Sequence, residues 1–258
     1  MVNKFNEVLR FEDICLTYQG KNSEVEALKN INFKVNQGQL VSIVGPSGCG
    51  KTTLLSLIAG LEDYTTGKIF INGKESKGLN STVGYMLQRD SLLSWRTIRS
   101  NALLGLEIRK MLTAENIEYV DHLLKAYGLW EFRNSHPGQL SGGMRQRAAL
   151  IRTMATKPNL LLLDEAFSAL DYQTRLVVAD DVTSILKREN KTAVIVTHDI
   201  SESITMSSRI IVLSKRPGQV RLDINLDFKT SGLERREEPQ FREYFNLIWK
   251  EIDLNVEK

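Results

Sequence analysis

Apolar positions along the chain change their period several times, and the changes divide it into regions. From Val8 to Val44 the pattern suits strands. Val8 to Tyr18 carries β-formers in partial alternation, Gln19 to Ser23 is turn-rich, Ile31 to Val35 alternates cleanly, and Leu40 to Val44 is a short apolar run of the kind that fills a buried strand. Helical spacing begins at Thr53 and runs to Ala59, after which Gly67 to Gly73 returns to strand with Asn72-Gly73 as a hairpin turn. These elements predict an antiparallel sheet that delivers the chain to a strand, loop and helix.

From about Asp90 to Ala149 the spacing is mainly helical. Asn101 to Lys110 and Thr113 to Tyr127 read as helices, with Thr113 placed to cap the second and Gly128 to stop it. Strand and helix patterns then alternate through Leu160 to Asp164, Asp171 to Glu189, Thr192 to Thr197, Ile200 to Met206 and Arg209 to Leu213. Such alternation predicts a parallel sheet with ligands at the carboxyl ends of its strands. A short strand pair is expected over Val220 to Leu226. A final helix then aligns Phe241, Phe245, Ile248 and Ile252 on one face, the expected docking face onto its own domain. The chain therefore reads as one domain over residues 1–258, with a helical subdomain at about 90–150 and a short C-terminal extension at 227–258.

Composition changes this picture little. With 42% hydrophobic and 25% charged residues among 258, the chain is ordinary globular material, and a formal charge of +3 is too small to argue for a nucleic-acid surface, so no nucleic-acid partner is expected. Two cysteines far apart, Cys15 and Cys49, give neither a disulfide framework nor metal-ligand spacing, which fits a reducing compartment. The N-terminus lacks the apolar core of a signal peptide, and no stretch approaches the roughly 20 apolar residues that cross a bilayer. Any link to a membrane is expected to pass through another chain.

The chemistry concentrates in three places. Gly45, Pro46, Ser47, Gly48, Cys49, Gly50, Lys51 and Thr52 fit the P-loop pattern between a buried strand and a helix, continued by Thr53. Its glycines let successive N–H groups face phosphate oxygens, the helix dipole adds positive potential, Lys51 reaches the β- and γ-phosphates, and the Thr52 hydroxyl suits Mg²⁺. The apolar run Leu160 to Leu163 ends in Asp164-Glu165. Beside a P-loop, this pair reads as one carboxylate for Mg²⁺ and one for a water, where in isolation it would read as strand-exit capping. Ser141, Gly142 and Gly143 open a further helix, from Met144 to Thr156, and form a second anion-binding element of the helix-N-terminus kind.

In that order and spacing, these motifs resemble the ATP-binding subunits of ABC transporters. The resemblance covers about residues 8 to 225 and includes the P-loop, Gln88 after an apolar strand, Leu140-Ser-Gly-Gly-Met-Arg-Gln146, Asp164-Glu165, Ser168-Ala-Leu-Asp171 and His198. It implies a RecA-like P-loop NTPase α/β core, an N-terminal antiparallel β-subdomain and an inserted α-helical subdomain. The implied activity is ATP hydrolysis with ATP and Mg²⁺. By the same resemblance Tyr18 stacks on the adenine, where a lone strand tyrosine would otherwise read as core. Gln88 binds Mg²⁺ and senses the transporter, Asp171 makes contacts across a dimer, and His198 meets the γ-phosphate. His122 and His136 have no such placement. Two copies pack head to tail, so that Ser141 and Gly143 of one close over the phosphate held by Lys51 of the other.

The resemblance also implies membrane permease subunits as partners, indirectly a solute-binding protein, and a peripheral position on the cytoplasmic face of the membrane. Gly84 to Thr97 and Val212 to Gly218 look like the importer branch serving nitrate, sulfonates, taurine and pyrimidine vitamin precursors. Trp95, Leu92 and Leu93 are either a permease-docking surface or subdomain core. Cys49 is either a tolerated small residue or a reactive thiolate at a helix N-terminus. The rival readings are an ABC-class ATPase acting on DNA or ribosomes, a P-loop small-molecule kinase, and a non-hydrolysing regulatory module. The first lacks a basic stripe, the kinase leaves Ser141-Gly142-Gly143 without a role, and intact Lys51, Glu165 and His198 speak against the third.

Overall fold

In a computed structural model that describes residues 7–20 and 23–253, the strand-rich N-terminal region forms as expected, although Lys21 and Asn22 of its first turn lie outside the described residues. β1 (Glu7–Gln19) and β2 (Glu24–Asn36) make an antiparallel hairpin, and β3 (Leu40–Val44) follows. α1 (Lys51–Ala59) leaves the loop after β3. β4 (Thr66–Ile71) and β5 (Lys74–Glu75) then turn through Asn72 and Gly73, both at positive φ, the combination a type I′ turn needs. β6 (Val83–Met86) leads into the helical subdomain of α2 (Ile98–Ile108), α3 (Ala114–Ala126) and α4 (Gly142–Met154). The remainder alternates as β7 (Leu160–Asp164), α5 (Tyr172–Arg188), β8 (Thr192–Val196), α6 (Ile200–Met206) and β9 (Arg209–Leu213), ending in β10 (Val220–Asn225) and α7 (Pro239–Asp253).

Among the described residues these strands build two sheets. One is antiparallel, in the order β2-β1-β4-β5; the other runs β10-β9-β3-β8-β7-β6 and is parallel except at β10. The central strands are apolar throughout because both faces are covered. Leu160 and Leu162 of β7, with Val194 and Val196 of β8, face the layer holding α1 and the antiparallel sheet. Leu161, Leu163, Ala193 and Ile195 face the layer of α2, α3, α4 and α5. One-residue alternation thus fills two cores.

Several boundaries differ from the pattern. β2 begins at Glu24, well before the clean alternation, because cross-strand pairing with Tyr18, Thr17 and Leu16 supplies the order that the sequence pattern lacks. α2 starts at Ile98, where the Thr97 hydroxyl accepts from Ser100 N–H at 3.2 Å. α4 begins at Gly142 because the Ser141 hydroxyl caps it, accepting from Met144 N–H at 3.3 Å. The strand pair expected over Val220 to Leu226 is a single strand, whose partner is the preceding β9. α7 docks on its own domain: Ile248 is fully buried, with Phe241, Phe245 and Ile252 packed around it against the α6 and β9 side chains.

Candidate nucleotide site

β3, β7 and β8 lie side by side in the sheet, so the loops leaving their carboxyl ends converge. The loop from β3 is wound by Gly48 (φ 74°) and Gly50 (φ 100°), and Gly50 caps α1. A Cβ on Gly50 would sit 2.6 Å from Leu28 Cδ2 in addition to the strained φ, so this position admits glycine alone. The Lys51 ammonium donates to the carbonyls of Gly45 (2.8 Å) and Pro46 (3.0 Å), which hold it at the centre of the loop. Inward-wound amides, a helix N-terminus and a buried ammonium together fit a polyphosphate.

Across the site, Asp164 ends β7 as a buried carboxylate. Its two oxygens accept from Thr52 Oγ1 at 3.2 Å and Tyr85 OH at 3.0 Å. Burial pushes its carboxyl above the ordinary range, and these two hydrogen bonds oppose the shift. Tyr85 is itself raised, by burial first and then by the Asp164 charge. Among the described residues no cluster of three His, Cys, Asp or Glu side chains could cage a metal. The pairing of Thr52 with Asp164 therefore suits an ion that takes its remaining ligands from phosphates and water, the usual habit of Mg²⁺.

Glu165 turns the other way. Its φ of 44° is left-handed, a strained value for glutamate, and its N–H donates to Val196 O at 2.9 Å. From there Oε2 lies 3.3 Å from Gln88 Nε2 and 3.4 Å from His198 Nδ1. Gln88 Nε2 also donates to Ser168 Oγ at 3.2 Å. Three residues from separate strand ends thus meet at one carboxylate.

A cleft of about 340 Å³ opens over the P-loop, lined by Tyr18, Ser47, Gly48, Lys51, Thr53 and Glu165 among others. Gly50 and Thr52 belong to the same wall, whereas Gly45, Pro46 and Cys49 do not line it; the first two act through the carbonyls that hold Lys51. Tyr18 OH donates to Glu62 Oε2 at 2.6 Å, which fixes the ring at the rim, and burial helps raise its hydroxyl above the usual range. Of the two alternatives for Cys49 the geometry favours the tolerated small residue: the side chain is 1% exposed, and burial raises the thiol despite nearby Lys51. Ala27 and Arg216 also line the cleft and were absent from the sequence reading, because neither belongs to a phosphate motif.

Ser141, Gly142, Gly143 and Asp171 are not among the residues lining this cleft. Side chains fill the space beside both glycines: a Cβ would fall 2.6 Å from Leu170 Cδ2 at Gly142 and 2.7 Å from Val178 Cγ2 at Gly143. Asp171 caps α5, accepting from Thr174 N–H at 3.1 Å, and the Thr174 side chain, followed by this N–H, lowers its carboxyl below the usual range. The stretch after Gln88 is tied to α4. Arg145 Nε donates to Asp90 Oδ2 at 3.0 Å, and Arg152 donates to the carbonyls of Asp90 and Ser91. Trp95 projects with 74% exposure from a loop whose Leu92 packs against the core, so Leu92 belongs to the subdomain core and Trp95 does not.

Comparison with known proteins agrees with this geometry. The sequence profile described as ABC transporter matches residues 28–168. The uncharacterized ABC transporter ATP-binding protein YtlC of Bacillus subtilis is 44% identical, covering 95% of each chain. The nitrate import ATP-binding protein NrtD of Synechocystis is 36% identical over 93% of each, and the taurine import ATP-binding protein TauB of Pelagibacter ubique is 37% identical over 89% of this chain and 90% of its own. Among solved structures, a dimeric post-hydrolysis state of the ATP-binding cassette MJ0796 bound to ADP and Pi superposes with a TM-score of 0.71 at 30% identity, covering 85% of this chain and 99% of that one. With a P-loop cleft and the Asp164-Glu165 pair in place, the chain belongs to the ABC transporter ATP-binding family and is an ATPase of that family.

Proposed function

We propose that this chain is the ATP-hydrolysing subunit of an importer for a small solute of the oxyanion, sulfonate or vitamin-precursor type, held at the cytoplasmic face of a membrane by permease subunits. The observation that carries the reading is the split of its phosphate-binding elements. Lys51 and the P-loop residues Ser47, Gly48, Gly50 and Thr52 line the cleft, while Ser141 to Gly143 open a different helix and do not line it. In the proposed cycle, two copies pack head to tail, and Ser141, Gly142, Gly143 and Asp171 of one complete the site of the other. Mg²⁺, when bound, neutralises charge on the β- and γ-phosphate oxygens. Thr52, Gln88 and Asp164 are the residues that would hold it, Asp164 through its water shell.

The remaining roles follow the same reading. Tyr18 carries the adenine, and Lys51 holds the β- and γ-phosphates. Glu165 orients or deprotonates the attacking water, and His198 steadies the γ-phosphate. Loss of the γ-phosphate removes contacts that the two copies share only through it, and this differential affinity drives the conformational cycle. No helix among the described residues is long and apolar enough to cross a membrane. In this reading coupling goes through a docked partner. Exposed Trp95 and the groove of Val83, Leu104 and strongly exposed Ile108 form the proposed permease surface. Support for the solute class comes from the similarity to taurine and nitrate import subunits along nearly the whole chain.

The test is co-purification with the native permease subunits and solute-binding protein, followed by ATPase assays in vesicles against a solute panel. The expected result is ATP hydrolysis stimulated by one sulfonate, oxyanion or pyrimidine-type solute. Tight nucleic-acid binding without permease association, or phosphoryl transfer to an acceptor other than water, would replace this reading with one of its rivals.

A further inference from the structure

The loop between β9 and β10 carries Lys215-Arg-Pro-Gly218, which no phosphate motif accounts for. Its position is fixed on two sides. Gly218 N–H donates to Ala27 O at 2.9 Å and Lys29 N–H donates to Gly218 O at 3.0 Å, so the loop runs as a short bridge along β2. Opposite this bridge, Gly218 lies against the P-loop so closely that a Cβ would fall 2.2 Å from Cys49 O. Only glycine allows that approach. Within the loop, Ser214 Oγ lies 2.9 Å from the carbonyls of both Lys215 and Pro217 and accepts from Gln219 N–H at 3.0 Å.

Arg216 stands on this frame, two residues before the Gly218 contact. Its side chain lines the nucleotide cleft together with Ala27 and Ser47. Among the described residues its guanidinium has no hydrogen-bond or ion-pair partner. Arg209, at the start of the preceding β9, is by contrast engaged with Asp223 through two nitrogens. An unpaired cation on the wall of a cleft whose ligand is a nucleoside polyphosphate has one strong complement available, the phosphate chain. Its planar fork of donors matches phosphate oxygens, and an exposed position keeps its desolvation cost low.

We propose that Arg216 binds the phosphate chain of the nucleotide from the exposed rim of the cleft, while Lys51 holds it from the buried floor. This gives the site a second cationic contact outside the P-loop. Because the β9–β10 loop is hydrogen-bonded to β2 and seated against the P-loop at Gly218, the contact is pre-positioned before nucleotide arrives. It serves ATP and ADP alike, so it contributes uniform binding, which appears in KM and not in kcat.

The test uses the full chain with Arg216→Gln and Arg216→Lys, measuring Kd for Mg-ATP and Mg-ADP by calorimetry, adenosine binding by competition, and kcat with KM. Arg216→Gln is expected to weaken both nucleotides roughly three- to tenfold at low salt, the range of an exposed charge-assisted contact. The gap should narrow at high salt. Adenosine binding and kcat should stay at wild-type values, and Arg216→Lys should recover part of the loss. Unchanged Kd for both nucleotides would overturn the proposal. So would an equal loss for adenosine, which would put Arg216 on the base or ribose, or a fall in kcat at unchanged Kd.

Discussion

Gln88 Nε2 donates to Glu165 Oε2 at 3.3 Å, and this one contact joins the stretch leading into the helical subdomain to the carboxylate at the end of β7. Two residues further on, Asp90 is held by Arg145 and Arg152 of α4, the helix that begins at Ser141. Contacts therefore run without a break from α4 through Asp90 to Gln88, and through Gln88 to Glu165. The permease surface proposed at Trp95 lies on the same stretch of chain. The docking proposed there and the water activation proposed at Glu165 are then separated by a chain of contacts only a few residues long.

Glu165→Gln keeps the shape of the side chain and its reach to Gln88 and His198 while removing the carboxylate proposed as the base. ATP affinity should be retained, and hydrolysis should fall by about 10²- to 10⁴-fold, the usual contribution of a positioned base. The variant should accumulate as an ATP-bound dimer. ATPase assays with light scattering check both outcomes; a variant that stays monomeric at saturating Mg-ATP would sink the head-to-tail arrangement for the isolated chain.

Asn101, fully buried in α2, pins the loop that presents Trp95. Its Nδ2 donates toward the carbonyls of Leu93, Arg96 and Thr97 at 3.0 to 3.1 Å, and its Oδ1 accepts from Leu93 N–H at 2.7 Å. Asn101→Ala strands several of these backbone groups, so stability should drop by about 2 kcal/mol, within the range for unsatisfied buried groups. Equilibrium urea unfolding measures the loss. An unchanged midpoint would mean that the loop is not held by this side chain in solution.

The parallel sheet and the placing of ligands at the carboxyl ends of its strands were legible because β3, β7 and β8 announce themselves as apolar runs ended by Gly45, Asp164 and Thr197-His198; the order of the strands was not. What escaped was carried by tertiary contact. The long β2 is ordered by pairing with β1, and its sequence has no clean alternation before Ile31. Asn101 looks like an ordinary polar helix residue, and only the loop folded over it gives it a role. Arg216 reaches the cleft because Gly218 seats against Cys49, a proximity between residues far apart in sequence. The fate of Cys49 also turned on depth. A helix N-terminus lowers a thiol pKa, but at this position burial prevails.

Glu202 in α6 gives a pH test. It is buried, accepts from Thr197 Oγ1 at 2.5 Å, and has a carboxyl raised above the ordinary range by desolvation first, then by Asp199; Thr197, Arg175 and His198 oppose the shift. A carboxyl raised in the folded state binds more protons there than in the unfolded chain. Stability from this group therefore falls as pH rises from the ordinary carboxylate range through the raised folded value. Glu202→Gln should be more stable than the parent near neutral pH, with the difference closing as pH falls below the ordinary carboxylate range. Urea unfolding at a series of pH values checks the sign; a variant less stable at neutrality would show that the charged form is favoured in the fold.

Arg235 supplies the last test, of how the C-terminal extension is fastened. The buried guanidinium donates from Nη1 to the carbonyls of Ile204 at 2.7 Å and Ser207 at 2.5 Å, at the end of α6, and stacks over Phe228 with 4.9 Å to the ring centroid. Beside it, Leu233 N–H donates to Asp180 Oδ1 of α5 at 3.1 Å. One arginine therefore joins the extension to the helix that starts immediately after His198 and Asp199. Arg235→Met fills similar space but leaves both carbonyls unpaired, so it should cost about 2 to 3 kcal/mol. Arg235→Lys keeps the charge without the fork and should lose less. If Arg235→Met unfolds at the parental denaturant concentration, the extension is not clamped to α6 in solution, and the route from the C-terminal helix to the His198 loop is broken.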